Sequence, residues 1–175
     1  MLRTFIVLLL LMPSQLVMAY SYTLEIAEPE LQHRVAAMMP IQKQVLFFSV
    51  LIYEPKLDLI KSSNKIGVAT NIEVVAPDGS KGSGRISLSG TLQYISNSGE
   101  FYFNNPVIES IKITNIPEQF TPDIKQMAQL ILTNAMATHP IYTLQDNDLR
   151  QKHLKSVLES IVIENEKLLV TLSAD

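Results

Sequence analysis

Three groups of residues have types that could do chemistry. Asp78-Gly79-Ser80-Lys81-Gly82-Ser83-Gly84 combines glycines, serines and a lysine, the ingredients of a phosphate-cradling loop. Such a loop needs its Lys-Ser/Thr pair directly before a helix, so that backbone N–H groups and the helix N-terminus meet the anion. Here Gly82 follows Lys81 and an alternating run comes next, so the stretch reads as a hairpin loop. Asp146-Asn147-Asp148 starts like a calcium loop, but the next alternate positions are Arg150 and Lys152, which offer no oxygen ligands. Helix capping accounts for those acids. His33, His139 and His153 lie far apart without metal-ligand spacing and read as solvated or capping groups. No serine has a nucleophile-elbow context, and no acidic pair is set out as general acid and base. The expectation is a non-enzyme with no cofactor and no metal.

Apolar chemistry is better represented. Outside the first 19 residues the methionines are Met38, Met39, Met127 and Met136, all on the apolar sides of two predicted helices. Thioether side chains are flexible and polarisable. They either fill gaps in an ordinary core or form surfaces that adapt to varied apolar partners. Phe47-Phe48 and Leu51-Ile52-Tyr53 are consecutive apolar residues in a predicted strand. A strand that is apolar on both sides is either covered twice or lines a cavity. Met127, Leu130, Ile131 and Met136, with Met38, are the expected contacts for an apolar ligand.

These residues must be positioned by the surrounding elements. Tyr22 to Ile26 alternates as a short strand. Glu28-Pro29-Glu30 opens a helix with the stripe Leu31, Val35, Met38 and Met39, stopped by Pro40. From Val45 to Ile116 the period changes to two, with Pro55 marking an edge or a bulge. Turn signals at Ser62-Ser63-Asn64, Pro77-Asp78-Gly79, Asn97-Ser98-Gly99 and Asn104-Asn105-Pro106 divide this region into an antiparallel meander. Thr121-Pro122-Asp123 has the hydroxyl cap, early proline and acid of a helix start. The apolar face of that helix is Ile124, Met127, Ala128, Ile131, Leu132, Ala135 and Met136, and it ends near His139-Pro140. Ile141 to Leu144 reads as a short strand and Asp146 to Ser160 as a third helix with Leu149, Leu154, Val157 and Leu158 inside. Ile161 to Leu172 reads as a closing strand pair turning at Asn165-Glu166. The expected architecture is α+β: a curved antiparallel meander wrapped around a long helix, with flanking N- and C-terminal helices.

The beginning of the chain predicts a compartment. Arg3, the apolar run Phe5 to Met12, a break at Pro13 and small or apolar residues at Val17 and Ala19 make a cleavable signal peptide, cut after Ala19. The apolar run is far short of the ~20 residues a spanning helix needs. Residues 1–19 are therefore read as a leader and 20–175 as one domain, exported to the periplasm. The chain has no cysteine, which removes thiol chemistry and disulfides and leaves packing alone to hold the fold. Net charge is −3, with acids and bases interspersed and no basic run. Nucleic acid and anionic lipid surfaces are poor partners on that ground.

Both ends of the predicted domain resemble the YceB-like family of bacterial envelope lipoproteins, a domain of unknown function. Tyr22-Thr23-Leu24 with Glu30-Leu31 carries the likeness at the start. Pro140-Ile141-Tyr142-Thr143-Leu144, then Ile161-Val162-Ile163-Glu164 with the strand Leu168 to Leu172, carries it at the end. The resemblance implies a long helix held by a curved sheet, similar to half of a tubular lipid-binding protein, with lipid between helix and sheet. It supplies no catalytic residue. Family lipoproteins carry a lipidated Cys after the apolar run, where this chain reads Gln15-Leu16-Val17-Met18-Ala19-Tyr20, so no covalent lipid anchor is possible here. The leading expectation is a periplasmic protein that binds a lipid or fatty acyl chain between the helix from Asp123 to Thr138 and the concave sheet. The alternatives are a non-enzymatic envelope interaction module with a filled core and, behind it, an envelope hydrolase assembled in space.

Overall fold

The computed structural model describes residues 20–61, 63–144 and 157–174. Alternating β-branched residues build a six-stranded antiparallel sheet in which five strands follow one another in chain order. These are β2 (Ile41–Val45), β3 (Phe48–Ile60), β4 (Lys65–Val75), β5 (Lys81–Ile95) and β6 (Glu100–Thr114), with the short β7 (Tyr142–Thr143) added at the β6 edge. On β4 the even positions Ile66, Val68, Thr70, Ile72 and Val74 all face the core. The bulge expected at Pro55 is present, between Tyr53 and Lys56. It uses up one extra residue, so that Val50 and Ile52 before it, and Leu57 and Leu59 after it, enter the same core. Thr70 stands opposite the gap and donates its hydroxyl to the Tyr53 carbonyl at 2.8 Å.

Two glycines let the sheet bend. A Cβ on Gly84 would stand 1.8 Å from the Lys112 carbonyl oxygen of the neighbouring strand, and one on Gly90 would stand 2.7 Å from the Phe103 ring. Only a bare backbone permits these approaches. The hairpin reading holds for the first part of Asp78 to Gly84: the turn between β4 and β5 ends at Ser80, with Gly79 at φ +83°, and Lys81 to Gly84 already belong to β5.

A second, three-stranded antiparallel sheet is ordered β1-β9-β8. It contains β1 (Tyr20–Ala27), β8 (Val157–Glu164) and β9 (Lys167–Ala174). The turn between the last two uses Asn165 and Glu166, both with positive φ, as a two-residue hairpin of this kind demands. Leu24, Ile26, Ile163, Leu168, Val170 and Leu172 join residues of the large sheet and both helices in one core.

The expected wrapping of a sheet around one long helix, with flanking N- and C-terminal helices, is not what forms. The chain is mostly strand, in two sheets, with two helices among the described residues. Helix α1 (Glu28–Ala37) packs against β3, and α2 (Thr121–Thr138) packs mainly against β6. Length explains the difference. The 15 residues of β5 and of β6 extend about 50 Å, whereas the 18 residues of α2 reach only about 27 Å. Of the predicted third helix, 146–156 lies outside the described residues. Val157 to Ser160 belongs to β8, where Leu158 pairs with Leu172 and the β-branched run Ile161-Val162-Ile163 continues the strand. The Thr121 cap does not form either. A 3₁₀ turn, Glu118–Phe120, runs straight into α2, so the chain arrives already helical and no side chain caps it.

The helices also seal the edges of the large sheet. Past Ile52, β3 has left its partner β2, and α1 takes that strand's place. Gln32 accepts from the Leu57 N–H at 2.7 Å and donates to the Pro55 carbonyl at 2.8 Å, while Glu28 accepts from the Leu59 N–H at 3.1 Å. On the other edge β7 covers only Glu100 and Phe101. There Gln129 of α2 accepts from the Ile108 N–H at 2.9 Å and donates to the Pro106 carbonyl. Asn64 does the same for β8, accepting from the Ile163 N–H at 3.0 Å and donating to the Ile161 carbonyl at 3.4 Å. Each side-chain amide stands in for a peptide group, blunting an edge that would otherwise template further pairing.

Candidate functional site

An apolar opening lies between the β2–β3 hairpin and α2. It is a groove of about 310 Å³ lined by Val45, Leu46, Phe48, Asp123, Gln126, Met127 and Leu130. Val45 pairs with Phe48, leaving Leu46 and Phe47 as a two-residue turn. Phe48 anchors the hairpin by standing edge-on to Phe120, ring centroids 5.7 Å apart. The turn residues point the other way: Leu46 is 81% exposed and Phe47 79%, and Leu130 across the groove is 55% exposed. Met127, 6% exposed, forms the floor. Leu46 holds φ at 56°, a left-handed conformation that costs a non-glycine residue about 1–2 kcal/mol.

Of the residues expected to contact an apolar ligand, Met127 and Leu130 are brought together here. Ile131 and Met136 are buried in the core instead, because the helix turns them under towards the sheet. Met38 is the C-cap of α1 and does not line the groove. Val17 and Ala19, expected at the cleavage site, lie outside the described residues, as do Asp146-Asn147-Asp148 and His153. The hairpin side of the groove was signalled by Val45-Leu46-Phe47-Phe48, an unbroken apolar run where a two-residue turn would favour Asn-Gly. The doubly apolar strand at Leu51 to Tyr53 resolves differently. Ile52 is in the core, while Leu51 and Tyr53 share a depression with Ala36, Met39 and Pro40 on the other face.

Two larger depressions are more polar. One, about 550 Å³, includes Gln93, Glu100, Tyr102, Asn104 and Thr133; the other, about 560 Å³, includes Glu28, Lys56, Asp58, Ser89 and Glu109. Their polar groups bond chiefly within the protein, Tyr102 to Glu100 at 3.0 Å and Ser89 to Glu109 at 2.7 Å. Donation to Glu100 raises the Tyr102 pKa, and donation to Glu73 raises that of Tyr53. Burial raises that of Tyr94. All three phenols are thereby held more firmly protonated, the wrong direction for a tyrosinate nucleophile. His139 closes α2, its Nδ1 2.9 Å from the Thr138 hydroxyl and 3.2 Å from the Ala135 carbonyl. Among the described residues no cluster of His, Asp and Glu is arranged to hold a metal, and no helix is long and apolar enough to cross a membrane.

Residues 26–167, most of the chain, match the family described as protein of unknown function (DUF1439). The chain belongs to that family. No curated protein matches it.

Proposed function

We propose that this DUF1439 protein is exported to the periplasm, after cleavage behind Ala19, and binds an apolar ligand such as a fatty acyl chain. The ligand lies in the groove between the β2–β3 hairpin and α2. One observation carries the reading: Leu46 and Leu130 stand exposed across a floor made by Met127 and Phe48, with Phe47 exposed beside Leu46 at the hairpin tip. Burying a Leu or Phe side chain yields about 1.5–3 kcal/mol, so an occupant that covers these three gains substantially. The likeness of the chain's ends to YceB-like lipoproteins supports an envelope location. Native mass spectrometry of protein recovered from the periplasm, with displacement of a fluorescent fatty acid in solution, tests the reading. Absence of co-purifying lipid together with no fluorescent binding would end it.

A second reading, a non-enzymatic interaction module of the envelope, draws on the filled core under α2. Ile124, Ala128 and Leu132 are fully buried there. That reading requires a protein partner on crosslinking and no bound lipid.

A further inference from the structure

We infer that the tip of the β2–β3 hairpin is a membrane-docking wedge, in which Leu46 and Phe47 enter the interface of a zwitterionic lipid leaflet. The inference rests on the acyl-chain reading of the groove and names where the ligand is collected. Leu46 and Phe47 are the two most exposed large apolar residues among those described, they are consecutive, and they form the end of a hairpin. Leu46 keeps its apolar side chain at a left-handed position where Gly or Asn would be unstrained. From Gln44 to Ser49 the chain carries no ionisable side chain, so the tip enters an apolar boundary without desolvating a charge. Antiparallel pairing of Val45 with Phe48 satisfies the hairpin backbone up to the turn, the condition for placing polypeptide at that depth.

Charge and area select the partner. The protein is net negative and the tip has no basic cluster, which favours a neutral lipid surface over an anionic one. A second copy or another protein is a poorer fit. The exposed large apolar surface here is confined to the two-residue tip and Leu130, not a broad face of the kind that supplies ~800 Å² per partner in a lasting protein interface. A lipid surface needs no matching relief.

Flotation of the full-length mature protein with phosphatidylcholine vesicles tests the inference, beside the double variant Leu46→Asn with Phe47→Ser. Asn suits the left-handed turn and both positions are exposed, so thermal unfolding followed by circular dichroism should show an undiminished midpoint. The expected result is that wild type floats, that added salt or admixed phosphatidylglycerol does not strengthen binding, and that the double variant binds at least about tenfold more weakly. Binding of a soluble fluorescent fatty acid is measured on the same samples. Wild type that binds the fatty acid but stays in solution overturns the wedge and leaves the groove reading standing. Wild type that floats equally well after the double substitution also overturns the wedge. Wild type that does neither overturns both.

Discussion

Gln32 on α1 and Gln129 on α2 make the same contact with opposite edges of one sheet. Each amide accepts from a strand N–H and donates to the carbonyl of the proline two residues earlier, Pro55 and Leu57 in one case, Pro106 and Ile108 in the other. Each proline follows a residue in the left-handed region, Glu54 at φ 53° and Asn105 at φ 49°. Both prolines lie at register shifts, on stretches of β3 and β6 that no further strand covers, and the nearest helix supplies one side chain with a donor and an acceptor to meet the exposed carbonyl and N–H. The helices are thus fastened to the sheet at the places where the sheet is interrupted.

Replacing Gln129 by Ala removes both partners at once and leaves the Ile108 N–H and the Pro106 carbonyl half-buried and unpaired. Urea unfolding should show a loss of about 1–3 kcal/mol, and Gln32→Ala should behave similarly. Because the two clamps sit on different edges and share no partner, their effects should add to within about 0.5 kcal/mol in the double variant. A large coupling would mean that the helices do not act independently.

Gly84→Ala and Gly79→Ala separate steric crowding from backbone conformation. Gly84 has the Lys112 carbonyl where its Cβ would stand, whereas Gly79 has φ +83° and open space around it. The first change should cost about 3 kcal/mol or more, since backbone must move. The second should cost about 1–2 kcal/mol, the left-handed penalty alone. Unfolding midpoints in that order are expected; the reverse order would contradict the close approach of β5 and β6.

Asp78 gives the β4–β5 turn a dependence on pH. Its carboxylate accepts from the Ser80 hydroxyl at 2.6 Å and from the Ser80 N–H at 2.9 Å. The hydroxyl, then the N–H, hold its pKa below the ordinary aspartate value. The ionised form is favoured in the folded state, so the stabilisation is present above the unfolded pKa and fades as pH falls through the folded one. Wild type should therefore melt above Asp78→Asn at neutral pH, with the gap closing in acid. A gap that widens on acidification would be the wrong sign.

Much of this arrangement was legible from local pattern. The meander from Val45 onward, the bulge at Pro55 and the turn at Asn165-Glu166 follow from alternation, proline and left-handed turn residues, all signals confined to a few neighbours. Asn104-Asn105-Pro106, expected as a turn, instead lies inside β6 at a register shift. The second sheet was not legible as such. Tyr20 to Ala27 pairs with Lys167 to Ala174 across almost the whole chain, and no local pattern records which distant strand a short apolar run will choose. The site was half legible. Helical period marked Met127, Leu130, Ile131 and Met136 as one broad face, but only the packing shows that the first two open to solvent and the last two do not. The hairpin side escaped because Leu46-Phe47 violates the usual turn chemistry, and such violations are where function is to be sought.

That division along α2 yields the sharpest test of the groove. Met136 is 2% exposed and packs inside, so Met136→Ala should cost about 2–5 kcal/mol of stability through the cavity it leaves. A fluorescent fatty acid should bind the folded fraction of that variant as it binds wild type. Leu130 stands at the groove wall, more than half exposed, so Leu130→Ser should leave unfolding within about 0.5 kcal/mol of wild type. The same substitution removes an apolar wall from the ligand, and affinity should fall about tenfold. If Leu130→Ser binds normally while Met136→Ala, still folded, does not, then the ligand sits beneath the helix and the core must open to admit it. Packing of Ile131, Leu132 and Met136 against the sheet argues for the first outcome, because an acyl chain under α2 would have to displace side chains that already fill the space.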